Sequence, residues 1–315
     1  MSAAPRFAWP DYLAAGAVVL IWGLNFVAMK FALQALSPFQ LGAARYVVAA
    51  LPLVFLIRRP SVQARWVLLY GLCQGVGQFG LLFVALKVGM SAALASVLMQ
   101  TQVFYTVIFS AVFLHEKPGR NLQLGLWLAA VALLCFGTDV IVTAGQGVTA
   151  LGLMLNLGAA GMWAVSNIVA RKAQQSVAYP AGYDPLAFVV WSSLVPILPF
   201  VALSAWMDPP FIWASLSQVD WRSWTSVLYL GWFATILSYA LWTGLLKRHP
   251  ANRVVPLSLG VPVVGLLAGL LALQESVTAW QWAGTGLTIS ALAFVFRRER
   301  VVATPRINPL VKEAP

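Results

Sequence analysis

The amino-acid sequence predicts an all-α integral membrane protein: ten transmembrane helices in two inverted five-helix repeats, with both termini on the inner side. Three observations predict it. Hydrophobic residues make up 61% of the 315 residues and charged residues only 9%, against about 25% charge in a soluble domain. The apolar residues fall in continuous runs of the length that crosses a bilayer as a helix. One helix-length unit is also written twice. Ala92–Glu116 aligns without a gap with Ala251–Glu275 at a spacing of 159 residues, pairing Leu114 with Leu273 and Glu116 with Glu275.

The runs give the helices in order. The first, Tyr12–Phe31, continues well past Trp22 and reads as a retained helix rather than a secretory leader. The second, Phe39–Ile57, is interrupted only by Arg45 and stops at Arg58-Arg59-Pro60. The third is Trp66–Leu86 and the fourth Ser91–Leu114. The fifth, Leu122–Val142, carries Asp139 near its end, and the sixth, Leu151–Ala170, stops at Arg171-Lys172. The seventh is Pro185–Trp206, and the eighth, Trp224–Leu246, ends in the run Lys247-Arg248-His249-Pro250. The ninth, Ala251–Leu273, and the tenth, Val277–Phe296, complete the second unit. The expected division is residues 1–146 for the first repeat, 147–300 for the second and 301–315 for a cytoplasmic tail.

Loop charge sets the orientation. With the N-terminus inside, fifteen Lys and Arg fall in inner segments and three in outer ones, the asymmetry that orients membrane helices. The net charge of +11 therefore belongs to the ends of the runs, and nucleic acid is excluded as a partner. Five helices is an odd number, so the second unit crosses in the opposite sense. Trp22-Gly-Leu-Asn25 aligns with Trp163-Ala-Val-Ser166, carrying the repeat into the first helix of each unit. Inverted repeats are a transporter architecture with the substrate site near the midplane.

Polar side chains at membrane depth mark helix packing or a pathway. Trp22 and Asn25 share a face of the first helix, Gln74 and Gln78 a face of the third, and Gln102 and Tyr105 a face of the fourth. Gln100 lies opposite Gln102 on an unbroken α-helix and is expected to face away. Trp163 and Asn167 share a face of the sixth helix, and Tyr239 and Trp242 a face of the eighth; Ser258 sits between Pro256 and Pro262 in the ninth. These eleven residues are the candidate substrate-binding set. Amides, hydroxyls and aromatic rings suit a small zwitterion or polar neutral solute, and the rings can attract an ammonium group. Interhelical hydrogen bonding is the plain alternative for each.

Arg45 has two readings: snorkelling to the outer side, which is the one expected, or binding a substrate carboxylate. Glu116 and Glu275 read as markers of helix ends. Gly71 with Gly75, and Gly265 with Gly269, are expected to let helices approach closely. Cys73 and Cys135 lie inside apolar runs without metal or disulfide spacing and read as inert thiols. No catalytic cluster, metal set or cofactor motif is present, and a membrane enzyme is not expected. A charged filter ring, which a channel would need, is also lacking.

The chain resembles the EamA-type exporters of the drug/metabolite transporter superfamily over about residues 10–298. The likeness rests on WGLNFVAMK at 22–30, RYVVAALPL at 45–53, GQFGLLFVAL at 77–86, GMSAALASVLMQTQVFYT at 89–106 and LHEK at 114–117. WAVSNIVARK at 163–172, VVPLSLGVPVVGL at 254–266 and LQE at 273–275 carry it in the second half. Within the superfamily it is similar to bacterial amino-acid exporters, those for cysteine and O-acetylserine and for aromatic amino acids. The resemblance implies a central cavity, alternating access and export of amino acids or related small metabolites across the bacterial inner membrane. With no acid at mid-membrane, a facilitator driven by the substrate gradient is expected. The alternative is an exporter of drugs or other metabolites with proton coupling.

Overall fold

The computed structural model describes residues 7–88, 92–116, 118–144, 149–177, 182–208, 219–273 and 278–296. Glu275, Lys117 and the expected tail lie outside the described residues. Among these residues the regular backbone is helical and falls into ten rods. They are α1 (Trp9–Ala32), α2 (Pro38–Val54), α3 (Ala64–Lys87) and α4 in two pieces, Ala92–Met99 and Gln102–Phe113. α5 is Arg120–Ala144 and α6 is Ala150–Gln175. α7 is also broken, into Pro185–Ser192 and Ile197–Met207, and α8 is Trp221–Arg248. α9 is built from Ala251–Val254, Val255–Leu259 and Gly260–Leu273, and α10 is Ala279–Phe296. Among the described residues seven rods are long and apolar enough to cross a membrane, and α2 and α4 are shorter apolar helices.

Local chemistry sets the ends. Pro10 lies in the first turn of α1, and Asp11 accepts a hydrogen bond from the Ala8 N–H at 3.0 Å. Ser37 caps α2, accepting from the Gln40 N–H at 3.1 Å, while Gln40 Oε1 accepts from the Ser37 N–H. Large apolar side chains such as Phe55, Leu198, Trp206 and Leu271 stand out from the bundle surface, as suits contact with lipid tails.

Helix contacts follow a two-fold exchange of the halves. α1 packs on α9 as α6 packs on α4, and α1 on α8 as α6 on α3. α2 packs on α8, and its counterpart α7 on α3. α2 meets its own counterpart α7, and α5 meets α10 in the most extensive pairing of the bundle.

Two irregularities recur in both halves. α3 runs as a π-helix over Gly71–Gly80, and α8 does so over Tyr229–Leu237. π segments are rare and occur often at functional sites. α4 is interrupted at Gln100 and Thr101, where the bonds Gln100 N to Val97 O and Thr101 N to Leu98 O are the tight three-residue kind. The related place in α9, Val255–Leu259, is a 3-10 turn around Pro256. Proline appears only in the second copy, yet both copies break there.

The glycines of α3 make a close approach possible. A Cβ on Gly75 would fall 1.9 Å from Pro196 Cγ, and one on Gly71 would fall 2.5 Å from the Ser192 carbonyl oxygen. α3 therefore presses its small-residue face onto the break in α7. On α1 it is Gly23 that approaches α9, since its Cβ would lie 2.4 Å from Val264. Gly265 shares this contact, its backbone nitrogen 3.1 Å from the same Cβ position, and with Gly269 it also stands in the wall of the cavity described next.

Candidate functional site

A cavity of about 760 Å³ runs from the middle of the bundle toward the end where α1 finishes. Lys30 and Gln34, both exposed, stand at its mouth with Gln281. Its wall is mainly apolar, including Leu82, Leu86, Val97, Val261 and Phe136. Five of the eleven expected binding residues line it: Trp22, Asn25, Gln78, Trp163 and Tyr239.

The floor is aromatic. The rings of Trp22 and Trp163 meet edge-on at 5.5 Å and 74°. These tryptophans occupy matching positions in the two repeats, so the halves touch through equivalent residues. Trp22 also packs on Tyr239 at 4.9 Å and on Trp242 at 5.2 Å. Its indole N–H donates to the Ala234 carbonyl at 3.1 Å. That carbonyl lies in the π segment of α8, where Thr235 Oγ1 also donates to the Leu230 carbonyl five residues back. The π backbone of α8 thus shapes this side of the cavity, and that of α3 supplies Gln78 and Phe79.

Beneath the floor lies a buried polar network. Trp242 Nε1–H donates to Asn167 Oδ1 at 2.8 Å, and Gln102 Nε2 donates to Ser258 Oγ at 2.8 Å. Asn167 Nδ2 reaches Gln102 Oε1 and Thr106 Oγ1, each at 3.3 Å. Four expected binding residues, Gln102, Asn167, Trp242 and Ser258, are therefore spent on joining α4, α6, α8 and α9. Gln74 is buried behind the wall, accepting from the Tyr46 hydroxyl at 3.3 Å. Tyr105 points elsewhere and stacks on Phe109 at 6.3 Å. The Gln102–Tyr105 face is not the cavity face. Gln100, expected to face away, lines the cavity instead.

Arg45 corrects a second expectation. It does not snorkel outward. It is 3% exposed, lines the cavity and donates from Nε to Thr235 Oγ1 at 2.6 Å. Its guanidinium carbon lies 4.4 Å from the Phe79 ring centroid. α2 turns this residue toward the π segment of α8, where a hydroxyl and an aromatic face receive it. Several polar atoms of the wall are buried without a partner: Asn25 Oδ1, Gln78 Oε1, Gln100 Oε1 and Trp163 Nε1. Such orphans are rare in folded proteins, and nine more lie elsewhere among the described residues.

The bundle end where α1 begins is tied by ion clusters. Asp11 accepts from Arg248 Nε and pairs with His249 Nε2, each at 2.8 Å, and Phe7 stacks on the His249 ring at 4.0 Å. Glu116 lies 3.6 Å from Arg171 Nε and accepts from the Asn252 N–H at 3.2 Å. Burial pushes its carboxyl above the usual range, more than Asn252 and Arg171 lower it. Glu116 thus links α4, α6 and α9. At the opposite end Lys87 reaches Asp208 at 3.1 Å, and Asp208 also bonds Ser37 and Ser204. Among the described residues no group of His, Cys, Asp or Glu could hold a metal ion.

The EamA-like transporter family matches twice, over residues 9–138 and 150–297. The chain belongs to that family. The double match agrees with the repeat seen in the sequence and in the helix contacts. An EamA-like chain with this run of apolar helices is a multi-pass membrane transporter and not an enzyme. It is 40% identical over 295 residues to a "probable amino-acid metabolite efflux pump" of Salmonella typhimurium, covering 92% of this chain and 96% of that one. It is 38% identical over 297 residues to a protein of the same description in Escherichia coli, covering 91% and 97%. A crystal structure with 17% sequence identity superposes with a TM-score of 0.72 over 91% of this chain, which speaks to the fold alone.

Proposed function

We propose that this EamA-like transporter exports amino acids or related small metabolites across the bacterial inner membrane, by alternating access through a central cavity and as a facilitator. The cavity carries the reading. It is large enough for a small solute, walled by apolar, aromatic and amide groups, open at one end and sealed at the other by the Gln102–Asn167–Trp242–Ser258 network. The descriptions of the two bacterial relatives supply the substrate class. Ten crossings with both termini inside follow from loop charge. The sealed end then faces the cytoplasm, and the structure corresponds to an outward-open state. Trp22, Asn25, Gln78, Trp163 and Tyr239 contact the solute. Gln102, Asn167, Trp242 and Ser258 close the inner gate beneath it. The described cavity wall contains no carboxylate, which supports uncoupled movement down the substrate gradient.

Counterflow in proteoliposomes with a panel of amino acids tests the reading. Wild-type vesicles are expected to exchange a subset of the panel. A flat response across the panel would move the assignment to drugs or other metabolites. Accumulation of an amino acid against its own gradient under an imposed pH gradient would overturn the facilitator mode.

A further inference from the structure

Arg45 sits seven residues into α2, about 10 Å along the helix from its start and deep within the bundle. Nε is satisfied by Thr235 Oγ1, and one face of the guanidinium is covered by Phe79. The two terminal nitrogens make no hydrogen bond to any described residue, and no described carboxylate pairs with them. Three cations near the ends of the bundle behave differently. Lys87, Arg171 and Arg248 each pair with an acid. A cation held at membrane depth with its fork toward a cavity and no internal counter-charge marks a substrate or ion site. Its planar pair of N–H groups matches a carboxylate in bidentate geometry.

We propose that Arg45 binds the carboxylate of the transported solute, so that the site selects amino acids with a free carboxyl group; the assignment rests on reading the cavity as the transport site. The rest of the wall fits the other end of such a molecule. Asn25, Gln78 and Gln100 bring amide groups to the wall, and an amide oxygen can accept a hydrogen bond from an ammonium group. The faces of Trp22 and Trp163 add attraction for a cation. Among the described residues no wall carboxylate competes for the ammonium or neutralises Arg45 in advance. The site therefore discriminates on the carboxylate charge and is permissive on the side chain, which meets apolar wall.

The test compares wild type, R45Q and R45K as purified full-length protein. Alanine, serine, cysteine and phenylalanine are titrated, each against its carboxamide, by thermal shift, with counterflow of the acids in proteoliposomes. The wild type is expected to prefer the acid. R45Q is expected to lose about tenfold to a hundredfold in affinity for the acid, with the carboxamide little changed. R45K, which keeps the charge without the fork, falls between them and carries the test should R45Q not fold. Unchanged acid affinity in both variants would overturn the assignment. An equal loss of acid and carboxamide by a folded variant would do the same, since that marks a scaffold role. A wild type that binds and moves none of the acids refutes the export reading itself, and the Arg45 assignment falls with it.

Discussion

Trp242→Phe isolates the inner seal. The substitution keeps most of the aromatic volume and deletes one donor. Asn167 Oδ1, on a side chain 1% exposed, then loses the 2.8 Å bond that satisfies it. A buried acceptor left without a partner costs about 1–3 kcal/mol, which is roughly a 5- to 150-fold change in an equilibrium constant. That cost falls on the state in which α6 and α8 are joined, so the population with this end open rises by the same factor. Ala170, one turn beyond Asn167 on the same face of α6 and 2% exposed, reports the change. In a background with Cys73 and Cys135 replaced, Ala170→Cys should react faster with a membrane-impermeant maleimide applied to inside-out vesicles when Trp242→Phe is present. A double-mutant cycle with Asn167→Leu should show coupling between the sites rather than additivity. An unchanged alkylation rate with full folded yield, or strict additivity, would refute the idea that this network holds the gate.

Trp163→Ala and Gln78→Ala should lower counterflow of amino acids while leaving the yield of monodisperse protein intact; normal transport by both would count against the cavity floor as the contact surface. Gly75→Ala forces a methyl group against Pro196 and should cost about 1–3 kcal/mol by overpacking, lowering the thermal unfolding midpoint. Gly80→Ala, with nothing within 4 Å of its Cβ, should not, and equal effects would contradict the close α3–α7 contact. Glu116 gives a pH dependence of defined sign. Its carboxyl is raised above 4.5 by burial, so the folded state keeps a proton that the unfolded state has lost. This stabilising contribution is full below that value and fades as pH rises through the raised one. Thermal unfolding followed from about pH 4 to 8 should be flatter for Glu116→Gln than for wild type, and an identical slope would show that the ion pair with Arg171 dominates.

The rods were legible because continuous apolar runs and terminal charges leave few alternatives in a bilayer. α9 begins and ends where its apolar run does, and α1, α5 and α8 exceed theirs by a few capping residues. The cavity face of α4 was not legible. Gln100 and Gln102 point opposite ways on a helix and the sequence does not say which meets the cavity; Gln100 does, beside the tight turn at Gln100–Thr101. Nothing in VLMQTQVFY announces that turn, since the proline that signals it stands only in the second copy. Arg45 was misjudged for a related reason. Counting turns from the helix end gives depth but not direction, and the direction is set by Thr235 and Phe79 on other rods. Asn167 and Trp242 were correctly picked as buried polar groups, yet only three-dimensional contact separates a wall residue from one that bonds a neighbouring helix.

The wide turns at 71–80 and 229–237 bear on how such a bundle can move. Each rod stores a surplus residue in its winding. Passing that surplus along the rod by one position would turn the residue it passes by about 100° and leave the chain helical throughout. Gln78 rides on one such stretch and Thr235, with the Arg45 fork, on the other. A slip in winding would therefore turn a side chain such as Gln78 relative to the cavity without opening a loop. The two stretches occupy matching places in the repeats, so the same wide winding stands once in each half.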